Sequence, residues 1–348
     1  MRLIDICPTP RFVVWDITYA CPLRCTHCYS ESGRRPSRQL NADGLYRVAN
    51  VLIAAKPIAI VISGGEPLVV RELFTVAQRM VDAGVEVILY TSGWSFVPAM
   101  LPGITRLSSR VIVSVDGASA EVHDRIRGRA GSFARAMGTL THLDRAVGDL
   151  RRRGEWAPQV GIDFVVTRSN FGQLREFCVS VLPQFPELFS VSFGAVIPTG
   201  LASRPSFADH ELLGDDQAAL LSGGQLAAEL QAVAPSSIAL STSDNRRFQL
   251  HPHLLAGGMD IPPLQIEPDG MVRAMPIYEG TVGSLLEEPL PVLWERAIER
   301  WSDPSVVEAL TPATTMARWA DATRRIDLQF GSTLDRARIG RRPAYIPT

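Results

Sequence analysis

Runs rich in valine and isoleucine alternate with stretches of helical periodicity through the first two hundred residues of this 348-residue chain. The runs FVVWDIT (12–18), IAIVIS (58–63), VEVILYT (85–91), RVIVSVD (110–116), VGIDFVV (160–166) and FSVSFGAVI (189–197) predict six strands. Such near-continuous apolar strands belong to a parallel sheet covered on both faces, where no side of the strand meets bulk water. Between them the spacing predicts helices over 41–55, opened by the cap residue Asn41, 70–83, ending before Gly84, 95–101, 132–152 and 169–182. Strand alternating with helix in this way is a (β/α) architecture.

After Gly200 the texture changes. LASRPSFADHELLGDD is a polar, proline-containing connector, followed by a predicted helix over 216–233. LQIEPDGMVRAMPI (264–277) predicts two short strands around an Asp269–Gly270 turn, and SLLEEPLPVLWERAIERW a helix beginning near 289–291. The tail is arginine-rich and helical in pattern. The expected organisation is a core over 1–200, a connector and helix over 201–235, and a small α+β unit over 236–348, with no internal repeat.

Composition narrows the classes. Hydrophobic residues make up 46% and charged residues 20%, with a net charge of −1, so the chain is globular and nothing global suggests a nucleic-acid or membrane partner. Of 35 basic residues only Lys56 is a lysine; the 34 arginines read as the codon bias of a GC-rich genome. No stretch approaches the ~20 apolar residues that span a bilayer, and MRLIDICPTPRF has prolines and an acid where a signal peptide is apolar. The expected location is the cytoplasm, where a tight cysteine cluster binds metal or reacts rather than forming disulfides. Neither end reads as a separate leader-binding domain.

The chemistry-bearing motifs share one place in the pattern. YACPLRCTHCYS follows the first strand, GGEP the second, TSG the third, SVDG closes the fourth and PTG follows the sixth. These are the C-terminal ends of strands, where parallel α/β folds assemble their sites. Cys21, Cys25 and Cys28 are spaced C-x3-C-x2-C. A structural zinc site closes with four ligands, often from two C-x2-C knuckles, and no second knuckle exists. Cys7 and Cys178 are isolated, and His27 beside Cys28 has poor geometry for the same ion. Three thiolates suit a four-iron cubane with one iron left open.

The C-x3-C-x2-C after strand one, SGGEPL after strand two and VSVDG after strand four, in that order, resemble the radical S-adenosylmethionine (radical SAM) superfamily. The resemblance covers about 1–200 and, more weakly, 264–300. It implies an α/β fold, a partial (β/α)6 TIM-type barrel with a small α+β C-terminal domain. Cys21, Cys25 and Cys28 would hold one [4Fe-4S] cluster, and the open iron would take the amino and carboxylate groups of SAM. His27 and Tyr29 would shield cluster and adenine. Gly64 and Gly65 would let bare backbone approach the methionyl ammonium, with Glu66 and Pro67 shaping that loop. Thr91 and Ser92 would touch SAM or substrate. VSVDGASAEVHDRIRGRAGSF (113–133) resembles the SPASM/twitch branch: Ser114 and Asp116 would meet the ribose hydroxyls, Arg127 the SAM carboxylate, and Val166 and Val196 the adenine. Taken alone, Asp116–Gly117 also reads as a tight turn and Arg127 as a solvated helix end.

In that branch the C-terminal extension carries cysteines for auxiliary clusters. Here Met275 stands at the cysteine position after the turn, and the 348 − 275 = 73 residues beyond it contain none. A thioether is a weak ligand beside a thiolate, so the expected extension is SPASM-like without its metal. The implied chemistry is reductive cleavage of SAM at the single cluster to a 5′-deoxyadenosyl radical, then hydrogen abstraction. The substrate radical would be resolved by returning an electron to the cluster, by a hydrogen donor, or by elimination. Cys178 reads as a buried apolar thiol rather than that donor. In the extension, acids (Glu267, Asp269, Glu279, Glu287, Glu288) and aromatics (Tyr278, Trp294, Trp301) are available to substrate, although Trp294 and Trp301, seven apart on one helix, read as core. Arg324, Arg325, Arg341 and Arg342 read by default as a solvated face.

The substrate implied first is a natural-product precursor, a ribosomally synthesised peptide. The alternatives are a sugar, nucleoside or other small molecule undergoing decarboxylation, dehydrogenation or epimerisation. A zinc-stabilised or SAM-binding non-catalytic module is the alternative of another class. The implied partners are the substrate and an electron donor such as flavodoxin or ferredoxin.

Overall fold

The computed structural model describes residues 9–251, 255 and 261–347; Cys7 lies outside them. Ten strands build one sheet: β1 (Phe12–Thr18), β2 (Ala59–Gly64), β3 (Glu86–Thr91), β4 (Arg110–Ser114), β5 (Gln159–Val166), β6 (Ser190–Ala195), β7 (Ala239–Ser243), β8 (Leu264–Ile266), β9 (Met271–Arg273) and β10 (Thr281–Ser284). Their order is β10-β9-β8-β1-β2-β3-β4-β5-β6-β7. From β8 to β7 every pairing is parallel, while β8–β9 and β9–β10 are antiparallel. β10 and β7 are the two edges, so the partial barrel stays open.

The crossovers are α1 (Ala42–Ala54), α2 (Leu73–Asp82), α3 (Leu101–Leu107) and the pair α4 (Ala120–Arg127) and α5 (Ser132–Arg152). Asn41 caps α1 by accepting from the Gly44 N–H at 2.9 Å. Alternate strand residues such as Val13, Trp15, Ile17, Ile60, Ile62, Val111 and Val113 are fully buried. The opposite face turns polar toward the C-terminal ends of the strands. Asp16 on β1 sits beside Ser63 on β2, and Asp163 on β5 lies between Ser114 on β4 and Ser192 on β6.

Three of the expected helices are corrected, and one strand is new. The helix over 169–182 is a succession of short turns, with π geometry at Phe177–Val181, where the Leu182 N–H reaches back to the Phe177 carbonyl. Pro183 has no N–H to continue an α pattern, which ends the regular register there. The helix over 216–233 is two, α7 (Asp215–Ser222) and α8 (Gly224–Gln231), preceded by α6 (Pro205–Glu211). Gly223 breaks it in an extended conformation (ψ 140°). The short helix at 95–101 falls later, at α3, after a 3-10 turn over Pro98–Met100. β7 was not expected at all: ALSTS is Ser/Thr-rich and half exposed, with no apolar run to mark it.

The hairpin over 264–277 is present, with Gly270 at φ +84° in its turn. Beyond it come α9 (Leu290–Trp301), α10 (Pro304–Leu310), α11 (Met316–Phe330) and α12 (Thr333–Ile339). Trp294 and Trp301 are core, their rings edge-on at 5.7 Å. Cys178 is fully buried in the apolar layer, as its helix-like surroundings suggested. Glu267, Glu279 and Arg342 depart from expectation. The two acids are buried against Arg273, at 3.0 and 3.5 Å, rather than open to substrate, and the Arg342 side chain is only 4% exposed rather than solvated.

Candidate functional site

The loop after β1 is held by its backbone. Arg24 N–H donates to the Arg127 carbonyl (3.0 Å) and Thr26 N–H to the Ile126 carbonyl (2.9 Å), so the loop lies on the C-terminal end of α4. On the other side the Leu201 N–H donates to the Cys28 carbonyl at 3.0 Å. Gly128 (φ +66°) and Gly200 (φ +54°) make these approaches possible. A Cβ at Gly128 would strike the Arg24 carbonyl oxygen, and one at Gly200 would lie 2.6 Å from the Cys28 carbonyl oxygen. The carbonyls facing outward are taken by arginines: Arg129 donates to Pro22 O (2.6 Å), Arg24 to Leu23 O (2.8 Å) and Arg34 to Arg24 O (2.6 Å).

Cys21, Cys25 and Cys28 are all half-buried thiols on this loop. Burial, then the neighbouring Cys25, pushes Cys21 up to about 12; burial outweighs Arg127 and leaves Cys25 at about 11. Burial thus favours the protonated thiols, and a bound cation would favour the thiolates. Among the described residues no three His, Cys, Asp or Glu side chains are placed to hold a single metal ion.

The GGEP loop packs directly beneath. Gly65 N–H donates to Thr18 O (2.7 Å) and Glu66 N–H to Ala20 O (3.0 Å). A Cβ at Gly64 (φ +112°) would lie 2.5 Å from Thr18 O, and one at Gly65 would fall on Ala20 O. The fully buried Glu66 accepts from Leu68 N–H (3.2 Å), the Thr91 hydroxyl (2.8 Å), and both the N–H (2.9 Å) and hydroxyl of Ser92. Ser92 is thereby committed to Glu66, and Pro67 opens the 3-10 turn that follows.

Asp116 is the hub of the opposite side. Its Oδ1 accepts from Val165 N–H (3.0 Å), its own N–H donates to His123 Nδ1 (3.1 Å), and Oδ2 lies 2.6 Å from Arg127 Nε. Burial favours the neutral acid, but Arg127, then His27 and His123, hold the Asp116 carboxyl below its ordinary value. Arg127 also lies 4.0 Å from Cys25 Sγ. His27, whose pKa burial lowers to about 4, rests neutral 3.8 Å from Asp116. Arg127 is buried, so the alternative reading of it as a solvated helix end does not hold. Val166 and Val196 are buried neighbours, joined by the Val196 N–H to the Val166 carbonyl at 2.8 Å. Ser114 stays half-buried at the end of β4.

The fold also gathers residues here, of which Asp16 and Asp163 were not singled out in the sequence. Asp16 accepts from the Tyr29 hydroxyl (2.7 Å) and from Gln265 (2.8 Å), and burial raises it to about 6. Asp163 is likewise raised to about 6, by burial and then by Asp116. Both carried a signal, a carboxylate inside an otherwise apolar strand. Asn170 donates to Asp116 O and Val165 O, both at 2.9 Å, tying β4 to the end of β5. Buried His27 Nδ1 and Thr199 Oγ1, on the loops after β1 and β6, have no hydrogen-bond partner. Unpaired polar atoms, three thiols and glycine backbones fit the iron–sulfur cluster and nucleoside-bearing cosubstrate that the motifs imply.

An open parallel barrel with a three-thiol loop and glycine backbone at the C-terminal ends of its strands defines a cofactor-binding (β/α) barrel. Residues 15–149 match the family described as the radical SAM superfamily. That superfamily uses a [4Fe-4S] cluster and SAM. The chain is 36% identical over 151 residues to an AdoMet-dependent heme synthase of Methanosarcina barkeri, covering 41% of this chain and 42% of the relative. It is 33% identical over 169 residues to the mycofactocin maturase MftC of Mycolicibacterium smegmatis, covering 48% and 41%. The chain thus spans about two-fifths of these relatives' length. Among solved structures, Streptococcus suis SuiB bound to S-adenosylmethionine superposes with a TM-score of 0.64 at 13% identity, over 87% of this chain and 67% of that one. The fold of anSMEcpe with bound AdoMet and a Kp18Cys peptide is also similar (TM-score 0.58, 15% identity, 83% and 82% covered).

Proposed function

We propose that the chain is a radical SAM enzyme with one cluster, acting on a peptide as a maturase. The observation that carries the class is the convergence of the cysteine loop, the GGEP loop and the Asp116–Arg127 pair at one end of the barrel. In this reading Cys21, Cys25 and Cys28 hold the cluster. When bound and reduced, the cluster supplies one electron for the reductive cleavage of SAM, the chemistry that makes hydrogen abstraction from an unactivated C–H possible.

The chain's own residues bind and orient. The Gly64–Gly65 backbone, packed against Thr18 and Ala20 where a Cβ would clash, would offer its carbonyls to an ammonium group. Glu66, saturated by four donors, fixes that loop against Ser92. Arg127 keeps Asp116 ionised, and the pair offers charge to SAM's carboxylate and ribose as a unit. Ser114 offers a hydroxyl beside it. Val166 and Val196 provide an apolar seat for a purine, and Tyr29 is anchored on Asp16. The C-terminal unit, over 236–348 in the sequence division, serves as a platform without a metal of its own, and an acidic flavodoxin or ferredoxin supplies the electron.

The likeness to a mycofactocin maturase supports a peptide substrate. The likeness to heme synthases favours a second reading, a small-molecule substrate of tetrapyrrole type. Anaerobic reconstitution followed by iron and sulfide analysis tests the class. Close to four irons and four sulfides per chain is expected. After reduction in the presence of SAM, 5′-deoxyadenosine should accumulate. Zinc without sulfide, or no 5′-deoxyadenosine from a demonstrably reduced cluster, overturns the proposal.

A further inference from the structure

Glu31 lies three residues beyond Cys28 in a left-handed conformation (φ +53°) that a non-glycine residue adopts only when its surroundings enforce it. It is buried (4% exposed), and one of its oxygens, Oε1, accepts from two arginines of the C-terminal segment. Arg342 reaches it through Nε (3.0 Å) and Nη2 (2.8 Å), and Arg338 through Nη1. Arg338 also bonds Glu279 (2.7 Å) and Asp335 (3.2 Å). Glu279 in turn lies against Arg273, the fully buried arginine of the hairpin. A chain of alternating charges therefore runs from hairpin to tail to cysteine loop.

The same tail is fastened on the other side of Cys28. Arg204 donates to Thr26 O and to Pro343 O, both at 2.8 Å, and Arg342 Nη1 reaches Ser203 Oγ at 3.2 Å. Thr26 and Glu31 bracket the third cysteine, so segment 338–343 grips the loop on both flanks. A buried carboxylate stripped of its partners is costly, so Glu31 keeps its place only with the tail docked.

We propose that Arg338 and Arg342 are positioning residues that, acting through Glu31, hold Cys28 in the orientation a cluster requires; this rests on the cluster reading above. The hairpin is thereby linked to the cysteine loop by ion pairs. The test uses the full chain with Glu31→Gln, Arg338→Gln, Arg342→Gln and the conservative Arg342→Lys. In the metal-free proteins, hydrogen exchange of amides 26–31 is compared with that of α5. After anaerobic loading with iron and sulfide, iron release to a chelator and the cluster's midpoint potential are measured.

Faster exchange confined to 26–31, about tenfold faster iron release, a shifted potential, and an intermediate result for Arg342→Lys are expected. Unchanged exchange at 26–31 overturns the proposal. So does exchange that rises equally in α5, which marks general loosening, or release and potential equal to the parent's. If the parent chain takes up no iron and sulfide, the cluster reading fails by itself, and the exchange data still decide whether the tail locks the loop.

Discussion

At the scale of single residues, the site depends on where side chains are missing. Gly65 has its neighbours' backbone against it. An added Cβ would fall on Ala20 O and lie 2.8 Å from the Ala20 carbonyl carbon, and backbone cannot swing aside as a side chain does. Gly138, inside α5, has nothing within 4 Å of the corresponding position. One chemical change should therefore have opposite signs at the two sites. Gly65→Ala should cost about 1–3 kcal/mol by overpacking, while Gly138→Ala should gain about 0.5–1 kcal/mol from helix propensity. Urea unfolding of the metal-free variants measures both, and equal effects would contradict the packing argument. The glycines were legible in the sequence because their motif was. Glu31 was not, because its partner Arg338 lies 307 positions away and no local pattern records such a contact.

At the scale of elements, the six apolar strands were legible because each buries one row against helices and needs no polar partner. The weak elements were not. β7 pairs with β6 from Ser190 to Gly194, yet its serines and threonines look like loop. The turns at 171–184 depend on Pro183, whose effect on register propensity alone does not foretell. α11 carries a further consequence, Asp327. Its Oδ1 accepts from Glu279 N–H at 2.9 Å, and its Oδ2 has no partner. Burial, then Glu279, raises it to about 7, with Arg342 and Arg273 opposing. The folded chain thus holds a proton that the unfolded chain releases near pH 4. Stability from this group is fully present below that value and is lost as pH rises through about 7. Asp327→Asn keeps the accepting oxygen and removes the ionisation. The variant should be more stable than the parent at pH 8, on the order of a few kcal/mol, with the difference shrinking toward pH 5. Thermal unfolding at a series of pH values checks this, and parallel curves for the two proteins would rule it out.

At the scale of the whole molecule, the sequence divides at about 200 and 236, whereas the sheet runs through those positions. β8 extends the sheet from β1 through the register Val13–Leu264, Val14–Gln265 and Trp15–Ile266. β7 extends it from β6 at the other edge. Side chains reinforce the first seam: Gln265 donates to the buried Asp16 at 2.8 Å, Arg38 pairs with Glu267 at 2.6 Å, and Arg47 reaches Leu286 O at 2.8 Å. Separating the C-terminal unit would expose the edge of β1, take Gln265 from Asp16 and Arg38 from Glu267, and free Glu31 from its arginines. Each of these losses falls on both sides of the seam at once, so the two parts should stabilise one another and unfold together. The metal-free chain is expected to melt in one calorimetric transition whose van't Hoff and calorimetric enthalpies agree, although chains this long often unfold in steps. A chain ended at 200 should fail to reach a cooperative fold. Two resolved transitions, or a truncated chain that melts cooperatively by itself, would show that the seam is an interface between independent units rather than the interior of one sheet.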